Sequence, residues 1–228
     1  MHFGILSCLL RRSLASVTIL PLMHPLLQPL SHTITFSGHL GRDVSAFLTA
    51  HGCPETAAHC AAVAAEAKRL AGRFGQEPGR AEVGGWLHDI SAIYPSAKRA
   101  SIARQLSLTV LPEEEAYPMI IHQKLSLVLA REIFAVQDEG VLSAIGCHTT
   151  LKAGASTLDQ VVFIADKIAW DQPGRPPYLT ELLAGLAQSL DQGVRVYLQY
   201  LWERRAGLRV IHPWFAQTCD EWGVTSDE

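Results

Sequence analysis

From residue 38 onward, apolar runs at helical spacing alternate with short polar breaks marked by glycine or proline. Residues 44–50 read as a short helix stopped by His51-Gly52. Pro54-Glu55-Thr56 opens a longer helix, with proline suited to a first turn and residues 57–70 dense in small and apolar side chains. Val63, Glu66 and Leu70 follow His59 at helical spacing, so one face can carry that histidine inward. Residues 72–79 form a connection, and residues 80–87 a helix with Gly84-Gly85 in its middle. Each glycine costs roughly 1 kcal/mol relative to alanine, a penalty that close approach of another helix would offset. Residues 97–106 are a further amphipathic helix, and Leu111-Pro112 starts another whose Glu113-Glu114-Glu115 suits an N-terminal dipole and reads as a solvated face.

Pro118 begins a helix over residues 119–134 with an apolar stripe at Leu125, Leu129 and Phe134. Residues 141–147 are an apolar helix leading to His148, and Thr157 caps a strongly apolar helix over 158–170 whose single interior acid is Asp166. Residues 171–177 are a loop by composition, residues 178–205 supply one or two helices, and residues 213–222 a short last one. Tyr197, Tyr200, Trp202, Trp214 and Trp222 read as an aromatic layer closing the bundle. No strand alternation, GxGxxG, phosphate-binding loop or internal repeat occurs, so the expected fold is all-α.

Residues 1–37 break this pattern: Arg11-Arg12 interrupts the first apolar run, and Pro21, Pro25 and Pro29 punctuate the second. The run at 13–20 is far shorter than the roughly 20 residues of a membrane span, and no small-residue cleavage site follows it. The segment reads as an irregular, poorly packed extension, or as the product of an upstream start codon, preceding one domain over 38–228.

Composition narrows the partners. With 48% hydrophobic and 18% charged residues the chain is a folded domain. Its formal charge of -3 gives no general attraction to nucleic acid or an anionic membrane. An anionic substrate must then be held by local groups, and metal ions are one source of local positive charge. Cys8, Cys53, Cys60, Cys147 and Cys219 lack CxxC or finger spacing, which suits reduced thiols in a cytoplasmic protein.

The chemistry-bearing positions recur at the ends or interiors of the apolar runs: His59, His88-Asp89, His122, His148 and Asp166. Adjacent ionisable side chains such as His88-Asp89 at a buried helix end need partners, and a metal ion takes imidazole and carboxylate together. An aspartate between Phe163-Ile164-Ala165 and Ile168 is likewise costly to bury without a cation. Four imidazoles and two carboxylates are enough for two ions with Asp89 shared. Ser91 or Ser143 as a nucleophile has no elbow motif to support it.

In its ordered H…HD…H…H…D pattern over residues 51–205, the sequence resembles the HD superfamily of metal-dependent phosphohydrolases. The stretches AEVGGWLHD at 81–89, Ile121-His122-Gln123, AIGCHTT at 144–150 and LDQVVFIADKI at 158–168 are similar to the YqeK-type branch, bacterial symmetrical bis(5'-nucleosyl)-tetraphosphatases. The resemblance implies an HD-domain helical bundle that cleaves diadenosine tetraphosphate to two ADP, with His88 and Asp89 in the catalytic centre. It also implies two metal ions, iron in that branch, although manganese, zinc, cobalt or nickel suits the same donors. His59, His88 and Asp166 would hold one ion, His122 and His148 the other, and Asp89 both. Two departures bear on substrate: Thr56 and Ala92 stand where many members carry arginine and lysine. Thr149, Lys152 and Lys167 are then the expected phosphate contacts, with Lys124 and Arg175 weaker ones. The alternatives are an HD hydrolase of another nucleotide phosphate, or a metal-binding regulatory module without turnover. A homodimer is compatible with the apolar tail.

Overall fold

The computed structural model describes residues 23–224, which form twelve α-helices and two 3-10 turns and contain no strand. The helices are α1 (Gln28–Ser31), α2 (Leu40–Ala50), α3 (Pro54–Arg73), α4 (Pro78–Leu87), α5 (Ser96–Gln105), α6 (Pro112–Ala116), α7 (His122–Glu132), α8 (Glu139–Cys147), α9 (Thr157–Ile168), α10 (Leu179–Gln188), α11 (Leu190–Glu203) and α12 (Pro213–Glu221). The 3-10 turns are Ile90–Ile93, directly after α4, and Arg205–Gly207. The all-α expectation holds.

The core is organised around α3, α4 and α9. Helix α3 has proline in its first turn and buries Val63, Ala64, Ala67, Leu70 and Ala71, small enough for α4 to lie close against it. Gly85 of α4 makes that approach: a methyl group there would stand 2.5 Å from the Ala64 Cα. Gly84, its neighbour, faces Val162 of α9. Helix α9 buries every residue from Leu158 to Ala165 and so is enclosed on all sides. Helices α7 and α8 complete the inner layer, with Gly146 letting Leu127 pack against α8. Helices α10 and α11 form a hairpin that packs on α9 through α11.

Part of the expected aromatic layer forms on that side, where Tyr197 and Tyr200 both pack against Tyr178, whereas Trp214 packs against His212. Tyr197 packs edge-on against Phe163 and Tyr178, at ring-centroid distances of 5.5 and 4.8 Å, and Trp202 meets Phe215 of α12 at 6.2 Å.

Four expectations need correction. Ser156, not Thr157, caps α9: its hydroxyl accepts from the Asp159 N–H while Asp159 reaches back to the Ser156 N–H, a reciprocal capping box. Asp159 is thereby a second interior acid of this helix, 1% exposed and bonded to Ser143. The helix expected from residue 119 begins at His122, because residues 118–121 form turns that place Met119 and Tyr117 carbonyls below it. Glu114 is not solvated: it is fully buried, bonded to the Leu111 N–H, paired with Lys124 at 2.8 Å and with His212 at 3.3 Å.

Of the segment expected to be an irregular extension, residues 23–37 are described. They carry α1 and insert Leu27 fully into the core, and the His24 N–H donates to Glu132 at 2.6 Å. The apolar run at 13–20 and Arg11-Arg12 lie outside the described residues. No described helix is long and apolar enough to cross a membrane, and the described cysteines, Cys53, Cys60, Cys147 and Cys219, are free thiols.

Candidate metal centre

Five segments deliver the six candidate ligands to one place. His59 lies in the second turn of α3, His88 directly follows α4, Asp89 leads into the 3-10 turn, His122 opens α7, His148 directly follows α8, and Asp166 sits in the last turn of α9. Three of the histidines are fixed by one device. The Nδ1 of His88, His122 and His148 bonds the carbonyl three residues earlier, Gly85 at 2.8 Å, Met119 at 2.5 Å and Ile145 at 2.8 Å. A carbonyl only accepts, so Nδ1 carries the proton and Nε2 of the neutral ring presents a lone pair.

The Nε2 atoms of the four histidines face each other in pairs. His122 Nε2 is 2.9 Å from His148 Nε2, and His88 Nε2 is 3.3 Å from His59 Nε2. Carboxylates complete both groups. Asp166 Oδ1 lies 3.1 Å from His59 and 3.6 Å from His88. Asp89 divides its two oxygens, Oδ1 lying 3.1 Å from His122 and 3.5 Å from His148, and Oδ2 3.5 Å from His88. Acceptors this close without donors repel unless a cation or proton stands among them. Two nitrogens bound to one ion at about 2.0–2.1 Å stand roughly 2.8–3.4 Å apart for angles between square and tetrahedral, which matches the spacing. The donor set therefore fits divalent metal: the ligand atoms of His59, His88 and Asp166 all lie within 4.8 Å of one another, as do those of His88, Asp89 and His148.

The electrostatics carry the same signature. Burial raises the Asp89 carboxyl pKa, but His88 and His122 outweigh it and hold the group well below its ordinary range. Asp166 is also held well below: burial opposes this, and Lys167 and His59 prevail. Burial disfavours charge on His88, yet Asp89 and the bond to Asp166 keep its pKa well above the usual histidine value. His148, with burial dominant, is pushed down to about 4, so it is a neutral donor at neutral pH.

Five of the six candidate ligands, all but the fully buried His88, line one wall of a cavity of about 450 Å³ whose other walls include Thr56, Ala92, Arg99, Thr149, Lys167 and Trp170. Two of the three expected phosphate contacts are here. Thr149 Oγ1 lies 3.1 Å from Nε2 of both His122 and His148. Lys167 pairs with Asp166 at 2.6 Å and donates to the His148 carbonyl. Lys152 is the exception: its ammonium bonds Ser143 at 2.6 Å and faces Asp159, and it does not line the cavity. Buried Asp159 holds it away from the ligands. Lys124 is likewise engaged by Glu114, and Arg175 is exposed on the loop after α9.

Two residues that matter here were not singled out as contributors from sequence. Gln123 is fully buried; its Oε1 accepts from the Thr149 and Thr150 N–H groups, 3.1 and 3.3 Å, and so pins the turn that follows His148. Its place directly after His122 was the available signal. Arg99 of α5 reaches the cavity from outside the ligand pattern, and nothing in its local sequence marks it. Ser91, considered as a nucleophile, is buried and donates to the His122 carbonyl at 2.9 Å, a structural tie.

With this geometry in view, residues 56–171 match the HD domain family. The chain is 44% identical over 138 residues to an uncharacterised protein in the pepC 5' region of Lactococcus lactis subsp. cremoris, covering 60% of this chain and 70% of that protein. It is 28% identical over 149 residues to a symmetrical bis(5'-nucleosyl)-tetraphosphatase of Bacillus subtilis (strain 168), covering 64% and 79%. In fold it matches the crystal structure of a predicted HD superfamily hydrolase involved in NAD metabolism from Clostridium acetobutylicum, with a TM-score of 0.72 at 22% identity, covering 81% of this chain and 97% of that one.

Proposed function

Because the chain belongs to the HD domain family, we propose that it is a metal-dependent phosphohydrolase that cleaves dinucleoside tetraphosphates symmetrically, diadenosine tetraphosphate to two ADP in the first instance. The observation that carries this reading is the division of Asp89 between two histidine groups at the floor of an open cavity. His59, His88 and Asp166 would hold one divalent ion, His122 and His148 a second, and Asp89 both; iron is the first candidate. Bound there, such ions supply an activated water near neutral pH and neutralise charge on phosphoryl oxygens.

The chain's own residues do the rest. Backbone carbonyls at Gly85, Met119 and Ile145 hold Nδ1 of three histidines, so their Nε2 atoms are already directed at the site before any ion arrives. Lys167 neutralises the Asp166 oxygen that faces away from His59 and keeps that side of the cavity from repelling a polyphosphate. The Thr149 hydroxyl, held in place through Gln123, offers a donor beside the His122–His148 pair. The substrate class is supported by the relative from Bacillus subtilis, whose name carries that activity.

Elemental analysis of the purified protein, combined with hydrolysis of a panel of nucleotides and dinucleoside polyphosphates, tests the reading. Wild-type protein is expected to carry metal and release two ADP per diadenosine tetraphosphate, and Asp89→Ala to lose most of both. Full metal content and full turnover in Asp89→Ala would remove the shared-ligand assignment. Preference for a monoester or another nucleotide would replace the substrate, and metal without turnover on the whole panel would leave a binding module.

A further inference from the structure

Two cationic side chains line the metal cavity, and they are placed differently. Lys167 is committed to Asp166 at 2.6 Å. Arg99 forms no ion pair with any carboxylate among the described residues: its acceptors are all neutral. Its Nε donates to the Tyr94 carbonyl at 3.0 Å, and its Nη1 lies 3.3 Å from the Met119 carbonyl and 3.8 Å from the Met119 sulfur. Among the described residues these contacts leave the Nη2 amine without a partner. The Met119 carbonyl also accepts from His122 Nδ1, so one oxygen positions both the guanidinium and a candidate ligand. The walls contributed by Thr56 and Ala92 carry no charge. A half-buried cation, tethered by neutral groups at the edge of a cavity, has no carboxylate in direct contact among the described residues, Asp89 acting on it only from beyond ion-pair distance, and a guanidinium's planar fork matches the oxygens of a phosphoryl group.

We infer that Arg99 is the anion-binding residue of this cavity, taking the non-bridging oxygens of a substrate phosphate beside the His122–His148 pair. The inference rests on the phosphohydrolase reading of the site and assigns its main phosphate contact to a residue outside the ligand pattern. Arg99 also ties the turn at Tyr94 to the turn at Met119, so a purely structural role must be separable from anion binding.

The test is equilibrium dialysis of radiolabelled inorganic phosphate against the metal-loaded full chain, with metal content and melting temperature measured on the same samples. Arg99→Met, which keeps an apolar stem, and Arg99→Gln, which keeps an N–H donor for a carbonyl, are both expected to raise the dissociation constant about tenfold or more, the usual scale for a hydrogen bond to a charged group. Arg99→Lys is expected to recover part of the affinity, and Lys98→Met, at an exposed neighbour, to match wild type. Wild-type protein that binds no phosphate, or a folded, metal-loaded Arg99→Gln that binds it as tightly as wild type, would overturn the inference. Nucleotide hydrolysis is scored separately. Turnover with Arg99-independent phosphate binding removes this assignment alone, whereas Arg99-dependent binding without turnover on any nucleotide removes the proposed activity and leaves the anion site.

Discussion

Glu114 has no exposed surface, and its partners determine how acid acts on this fold. Burial raises its pKa, but the His212 contact, the Leu111 N–H and Lys124 outweigh burial and hold it below the ordinary glutamate value. A depressed carboxylate contributes stability that is fully present above the unfolded pKa and is lost as pH falls through the folded one. Glu114→Gln leaves Lys124, which is 13% exposed, without its counter-charge, and removing one member of a buried pair costs roughly 3–5 kcal/mol. Because the Lys124 ammonium has some access to water, about 3 kcal/mol is expected by urea unfolding at neutral pH. The gap between wild type and variant should narrow at acid pH, and a gap of the same size there would show that Glu114 is not charged in the fold. The burial of Glu114 was not legible in sequence, because three acids at a helix start look alike until His212, almost a hundred residues away, picks one of them. The convergence of the six candidate ligands was legible because each stands in or just after an apolar helical run, where a polar side chain is costly. Lys152 misled because adjacency to His148 along the chain does not give direction, and Asp159 turns it away. Arg99 left no signal, since its anchors at Tyr94 and Met119 are backbone carbonyls that any residues could provide.

Between elements, the contact of α3 with α4 sets the distance that the site needs. Gly85 stands where a Cβ would lie 2.5 Å from the Ala64 Cα, 2.7 Å from its nitrogen and 2.9 Å from the Val63 carbonyl carbon, all backbone atoms that cannot rotate away. Gly84 meets a side chain instead, Val162 Cγ2 at 2.8 Å. Alanine would favour the isolated helix at either position by about 1 kcal/mol, so intrinsic propensity predicts stabilisation and packing predicts the reverse. Overpacking costs about 1–3 kcal/mol and occasionally more. Gly85→Ala is expected at or above the upper end and Gly84→Ala near the lower, by chemical denaturation. Since His59 rides on α3 and His88 ends α4, Gly85→Ala should also lower metal content, whereas Gly84→Ala should retain most of it. Equal loss in both variants would mean that the helix spacing does not control the His59–His88 pair. The glycine pair, the helix order and the all-α class were readable from apolar spacing. The burial of Leu27 was not, because prolines on both sides break the periodicity that would have marked it.

Across the molecule, the centre joins α3, α4, α7, α8 and α9, so an ion there acts as a tie among segments spread from His59 to Asp166. A ligand that binds the folded chain alone stabilises it by about 4 kcal/mol at a thousandfold excess over its dissociation constant. For a chain of this size, that corresponds to a melting shift of about 8–16 °C. The metal-free cluster has one substitute, a proton on His88, whose pKa stands well above the ordinary histidine value because Asp89 and Asp166 outweigh its burial. A raised histidine contributes stability fully present below its unfolded pKa and lost as pH rises through its folded one. The metal-free protein should therefore weaken as pH climbs above neutrality, while the loaded protein, whose cations neutralise the same carboxylates, should not share that loss. The difference in melting temperature between loaded and chelator-treated protein is accordingly expected to widen from pH 6 to pH 9, and ion uptake to release a proton, seen as a buffer-dependent heat in titration calorimetry. A difference that stays constant over this range, with no proton released, would show that His88 is neutral without metal and that the carboxylates are compensated by another route.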